Sequence, residues 1–422
     1  MTSTVDKGVE PVAQEWRDKK RHLWLVGLVA PTALFVVLPV IWAMNQQGWH
    51  TSSQVLLWIG PLLLFVLLPL LDLRFGPDGQ NPPDEVMEQL ENDKYYRYCT
   101  YAFIPFQFAS VVFGAYLFTA DNLSWLGYDG ALGWIGKVGV ALSVGVLGGV
   151  GINTAHEMGH KKDSLERWLS KVTLAQTFYG HFFIEHNRGH HVRVATPEDP
   201  ASARMGESLW AFLQRSVWGS LRSSWALEAE RMRRLDKSAF NIRNDVVNAW
   251  LMSVVLWGVL LAVFGWTLTP FLVVQAVVGF GLLETVNYLE HYGLLRQKTE
   301  RGRYERCRPE HSWNSDHIVT NVFLYHLQRH SDHHANTTRR YQTLRSYPDG
   351  PGGAPNLPSG YSSMILLTLV PPLWRKVMDP RVVAHYDGDI TRAHLHPPKR
   401  EKLIAKYGAA PMSGLREEET AQ

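Results

Sequence analysis

A chain of 422 residues, 12% aromatic and only 19% charged, can bury a large core, and its net charge of +3 is too small to specify a nucleic-acid partner. Two cysteines, Cys99 and Cys307, exclude a disulfide framework, a zinc ribbon and a four-thiolate iron site, so any one-electron carrier must come from elsewhere. The mean hydropathy of -0.13 averages two materials, long apolar runs and charged connections.

In chain order, a polar segment (1–21) precedes a first apolar run near His22 to Met44. Acidic and polar residues lead into this run and no small-residue cleavage site follows it, which marks a retained anchor rather than a cleaved signal peptide. Runs near Ser53 to Leu71, Tyr98 to Thr119 and Leu132 to Ala155 follow. Each is about the 20 residues that cross a bilayer as helix. A region with interfacial helices (156–245) comes next. Within it Leu209, Trp210, Leu213, Val217 and Leu221 recur at helical spacing, with Arg215 and Arg222 on the other side. Two further spans, near Val246 to Phe264 and Leu268 to Tyr288, complete a transmembrane pair (246–292). A cap (293–396) holds the apolar stretch Met364 to Leu373, too short to span and interrupted by Pro371 and Pro372. A polar tail (397–422) ends the chain. The expected architecture is an all-α membrane protein of six transmembrane helices with a cytoplasmic, histidine-rich catalytic region.

Orientation follows from the basic residues. Arg17, Lys19, Lys20 and Arg21 precede the first span, whereas the connections 45–52, 120–131 and 265–267 contain no Lys or Arg. Basic loops stay inside, so both termini are expected in the cytoplasm. Lys137 can snorkel to the outer interface.

Half of the 18 histidines fall in four clusters: His156 and His160 in HEMGH; His186, His190 and His191 in EHNRGHH; His291 in NYLEHYG; His330, His333 and His334 in QRHSDHH. Residues four apart share a helical face, so His156 with His160, His186 with His190, and His330 with His334 read as pincers. His191 and His333 point off those faces, towards a second metal. An even number of spans separates every pair of clusters, so all nine return to one membrane edge. Nine imidazoles suit two ions with open positions. Imidazole accepts Zn, Cu, Fe or Ni, and iron is favoured because an open, redox-active pair beside a lipid-facing cavity suits O₂ activation. HEMGH alone also fits a zinc protease with Glu157 as base, but a protease needs only one more ligand. A metal transporter would need ionisable residues spaced through several spans, and here they cluster at one edge.

Glu157, Glu185, Glu284, Glu290 and Asp332 interleave the clusters. Together with Asn287 they are expected to hold the outer ring nitrogens of the ligands. His181, His311, His317 and His326 lie near the clusters without a firm assignment.

HEMGH, EHNRGHH, NYLEHYG and LQRHSDHH, in that order and with six spans, resemble the integral membrane alkane 1-monooxygenases. The resemblance implies two iron ions held by the nine clustered histidines, O₂ as co-substrate and terminal hydroxylation of medium-chain n-alkanes to 1-alkanols. It also implies electrons from rubredoxin, itself reduced by rubredoxin reductase and NAD(P)H, in a bacterial inner membrane. A membrane fatty acyl desaturase or xylene-type hydroxylase of the same histidine-box group is the alternative. Trp58, Phe65 and Leu68 of the second span are candidates to line an alkane tube. Lys161, Lys162, Arg188, Arg193, Arg329, Arg339 and Arg340 flank the clusters and are candidates to receive an acidic electron carrier.

Overall fold

The computed structural model describes residues 16–350 and 352–408. The outer parts of the N-terminal segment (1–15) and of the polar tail (409–422) lie outside the described residues. Those described form helices, with four isolated β-bridges and no strand.

Six helices are long and apolar enough to cross a membrane: α1 Arg21–Gln46, α2 His50–Phe75, α3 Lys94–Thr119, α4 Trp134–Gly159, α7 Asp245–Phe264 and α8 Trp266–His291. Between and after them come α5 Ser164–Leu174, α6 Leu209–Arg234, α9 His330–Ala335, α10 Tyr361–Thr368 and α11 Pro371–His385. Side-chain caps start several of them: Asp93 accepts from Tyr95 N at α3, Asp163 from Leu165 N at α5, and Asn244 from Val246 N and Val247 N at α7. α1 and α2 carry prolines and are built in pieces. α2 widens to a π segment over Leu63–Leu67 just before Pro69, whose ring cannot extend an α ladder.

α4 is the central element. A Cβ at Gly145 would stand 2.6 Å from Cβ of Val278 in α8, and one at Gly139 would stand 2.5 Å from the Trp58 ring of α2. Only glycine allows both approaches. Outward, α7 exposes Leu251, Val254, Val255, Val259 and Val263, a surface suited to acyl chains.

α4 and α8 run past the apolar runs, so His156 and His291 ride on the last turns of spans. One feature departs from the sequence expectation. Residues 175–180, expected outside the bundle, turn back into it. Sites for a Cβ on Gly148 and Gly279 lie 2.9 and 2.7 Å from Thr177, and Trp257 Nε1 donates to Gln176 O at 3.0 Å. All three residues stand mid-span, and Gly148 lies about 12 Å along α4 from His156 at 1.5 Å per residue. Non-helical backbone at that depth needs internal partners. Gln107 supplies one to Thr173 O at 3.0 Å, and Gln275 supplies one to Gln176 O at 2.9 Å. The buried glutamines of α3 and α8 are explained by this turn.

Candidate metal centre

The ends of α4 and α8, α9, and the helical stretch 182–193 converge at one edge of the bundle. They bring nine histidines into two abutting groups. His156, His160, His186, His191 and His333 form one; His190, His291, His330 and His334 form the other, with all candidate ligand atoms of a group within 4.8 Å of each other. The groups touch where the rings of His191 and His334 lie 4.3 Å apart.

Hydrogen bonding cannot account for the five-histidine group. Nε2 of His333 lies 2.9 Å from Nε2 of His156 and 3.2 Å from that of His191. Nε2 of His186 lies 2.9 Å from that of His191 and 3.0 Å from that of His160. Each ring nitrogen has one in-plane site, a proton or a lone pair, and so can serve one such contact. His333, His191 and His186 each make two. A cation accepting all five lone pairs removes the conflict. Right-angled bonds of about 2.1 Å separate donor nitrogens by about 3.0 Å, whereas a tetrahedral ion separates them by about 3.4 Å. The observed spacing and the five donors fit an ion of higher coordination number than structural zinc. The buried Nε2 atoms of His190 and His291 have no hydrogen-bond partner and face the second group.

Burial, reinforced by neighbouring imidazoles, holds His160, His186, His191, His330, His333 and His334 well below the usual histidine range. They are therefore neutral at physiological pH, the form that donates to a metal.

The pairing within EHNRGHH differs from the helical-spacing expectation. Glu185–His190 is a π segment, so His186 shares its face with His191, five residues on, and His190 turns to the other group. His330 and His334 do pair at four residues, Nε2 to Nε2 2.9 Å, while His333 crosses to the five-histidine group.

Comparison with known proteins names the family. The chain is 44% identical over 400 residues to the alkane 1-monooxygenase of Ectopseudomonas oleovorans, covering 94% of each. It is 43% identical over 413 residues to that of Acinetobacter baylyi, covering 96% of each. The chain belongs to the alkane 1-monooxygenases. A model of the Fatty acid desaturase family matches residues 132–349. The xylene/toluene monooxygenase hydroxylase component of Pseudomonas putida is 28% identical over 56% of this chain and 62% of its own. The protein is accordingly an oxidoreductase of the monooxygenase class.

None of the carboxylates expected to hold the outer ring nitrogens in this alkane 1-monooxygenase family member is seen to do so among the described residues. Glu290 lies 3.1 Å from Nε2 of His330, the nitrogen that also faces His334 Nε2 at 2.9 Å, while His330 Nδ1 is buried without a partner. Glu157 pairs with Lys161 at 2.9 Å, Glu185 with Arg193 at 2.8 Å, and Asp332 binds Arg339 through both oxygens and also Tyr347. Glu284 accepts from Tyr179 at 2.7 Å, from Asn287 at 3.3 Å and from Ser216, tying α8 to α6 and to the re-entrant turn. Neither Glu284 nor Asn287 reaches a ligand ring.

The sequence expectation missed Asp199, whose Oδ2 lies 2.9 Å from Nδ1 of His190. Burial alone would raise this carboxyl, but His190, Ser202 and His291 hold it well below the usual range. The contact is made through a loop containing Pro197 and Pro200, so no helical period betrays it.

Three of the proposed carrier-docking cations are buried in the protein. The side chains of Lys161, Arg329 and Arg340 are 4%, 1% and 11% exposed. Arg340 pairs with Glu166, and Arg329 donates to three backbone carbonyls. Arg188, Arg193 and Arg339 remain partly exposed, and Lys162 is exposed. Among the span-two residues, Leu68 is buried with Val146, Leu147 and Val150 of α4, and Phe65 packs on the same cluster. Trp58 lies over Gly139 and donates to Ile135 O, about 26 Å along α4 from His156.

Proposed function

We propose that this protein inserts one atom of O₂ into the terminal C–H bond of medium-chain n-alkanes, giving 1-alkanols. The reaction uses a pair of iron ions held by the nine histidines and electrons from reduced rubredoxin. The balance is one alkane, one O₂, two electrons and two protons giving one alkanol and one water. The supporting observation is the convergence of five Nε2 atoms, with adjacent contacts of 2.9–3.2 Å, beside a second group of four. An alkane offers no acidic proton and no polar handle, so acid–base or nucleophilic chemistry has nothing to act on. The metals supply O₂ activation; the chain supplies positioning and exclusion of water. The names of the relatives support the alkane as substrate.

The apolar residues Ala30, Ala33, Leu34, Leu63, Val146 and Leu147 line a narrow space between α1, α2 and α4. A slender tube selects chain ends by shape, because one methylene is worth only about 1–3 kcal/mol in an apolar pocket. In this reading Leu68, packed on Val146, Leu147 and Val150, would lie nearer the reacting end and Trp58, over Gly139, nearer the far end. The basic N-terminal residues and the connections that lack Lys and Arg support a cytoplasmic site, reached by a soluble donor, in what the family resemblance implies is a bacterial inner membrane.

Gas chromatography–mass spectrometry of products formed from octane with O₂, rubredoxin and its reductase tests this proposal. It expects 1-octanol and about two irons per chain. Methyl-hydroxylated xylene without 1-octanol would favour the xylene-type alternative, and stoichiometric zinc without product would overturn the oxygenase site.

A further inference from the structure

Resting on that iron assignment, the geometry points to Asp199 as a positioning residue. It fixes His190 as an Nε2 donor and makes the four-histidine site electronically distinct from the five-histidine site. Asp199 is 1% exposed, and a buried carboxylate persists only where its oxygens are satisfied. Oδ1 accepts from Ala201 N at 3.1 Å, and Oδ2 accepts from Ser202 Oγ at 2.6 Å. Ser202 Oγ itself accepts from Ala195 N at 2.8 Å, so the turn 195–202 closes on itself. These bonds would suffice to build the turn. The further contact, Oδ2 to His190 Nδ1 at 2.9 Å, leaves the turn and reaches the π segment.

Its consequence follows from imidazole chemistry. With the proton held on Nδ1 by a carboxylate, the lone pair lies on Nε2, which is buried, has no hydrogen-bond partner and belongs to the four-histidine group. The rings of His291 and His334 each stand 4.9 Å from that of His190. Among the described residues no other of the nine has a carboxylate on Nδ1: His291 Nδ1 faces Ser312 Oγ at 3.5 Å, and His191 Nδ1 is buried without a partner. The anion behind His190 makes that ring a stronger donor and stabilises a higher charge on its metal. Reduction of the pair is thereby ordered, with the five-histidine position accepting an electron more readily.

Mössbauer spectroscopy of the ⁵⁷Fe-loaded holoenzyme, with iron affinity measured by chelator competition, tests the inference. Wild type is expected to show two doublets of equal area. Asp199→Asn is expected to shift one doublet, leave the other in place, and weaken one iron 10- to 100-fold. Ser202→Ala, which keeps the carboxylate but removes one bond to it, is expected to shift the same doublet by less. It provides the reading if Asp199→Asn fails to fold. Wild-type spectra and affinities in the variants would overturn the role of Asp199 while leaving the iron assignment intact. Wild-type protein that takes up no iron would instead overturn the assignment itself.

Discussion

His186 and His191 bring their Nε2 atoms to 2.9 Å across a π segment, while His190, one residue nearer, faces the opposite group. The wider turn lets three histidines in six residues serve two positions. Gly189 makes it compact, because a Cβ there would stand 2.5 Å from the carboxylate of Glu185, itself held by Arg193. Gly189→Ala is therefore expected to spread this turn, costing about 1–3 kcal/mol and weakening iron at both positions. Thermal unfolding in detergent and metal analysis measure the two effects. Removing the obstructing carboxylate with Glu185→Ala in the same chain should recover part of each.

Truncating one ligand from each group separates the positions. His156→Ala leaves the four-histidine group complete, and His334→Ala leaves the five-histidine group complete with three donors in the other. Each variant is expected to retain about one tightly bound iron and to lose hydroxylation. Loss of both irons from either variant would mean that the groups bind as one cluster.

Much of this arrangement was legible in the sequence, because apolar length and histidine spacing are local properties. The six spans emerge within a few residues, since bilayer thickness fixes helix length. His156 with His160 and His330 with His334 follow the α period that carries them. The partition of His186, His190 and His191 was not legible, because no residue in EHNRGHH announces a π turn. Asp199 stands nine residues beyond His190 and reaches it by a proline-flanked loop. The re-entrant turn at 175–180 is likewise hidden: its polar partners Gln107 and Gln275 come from distant spans and read locally as isolated defects in apolar runs.

Acid should loosen the metal and destabilise the fold together. Six ligand histidines outside the spans are held well below their ordinary range by burial, so the folded site resists protonation that the unfolded chain accepts. Stability contributed by the neutral rings is thus lost as pH falls below about 6.5. Glu185 has the opposite sign. Burial raises its carboxyl to about 7, and its share favours the folded chain as pH falls from that value towards the ordinary carboxylate range. One carboxyl against six imidazoles leaves the histidines dominant. Iron retention and unfolding temperature, measured together between about pH 7.5 and 5.5, are expected to decline over the same interval. Full retention at the acid end would argue against imidazole donors.

The carrier surface narrows to cations that the fold leaves accessible. Arg339 chelates Asp332 between two histidines, so reversing its charge would disturb the site itself. Lys162 follows the first histidine cluster, is exposed and takes part in no ion pair described for the protein, while Arg188 is 36% exposed beside Glu228. Exposed charges steer an approaching partner through long-range attraction, which salt screens over about 8–10 Å. Lys162→Glu should therefore lower the rubredoxin-driven rate at low ionic strength, with the difference from wild type vanishing at high salt. Arg188→Gln should do the same to a smaller degree, because its partner already offsets part of its charge. Turnover with a small chemical reductant, which needs no docking, should match wild type in both variants. Equal losses with both reductants would place the defect in the metal centre and remove these residues from the docking surface.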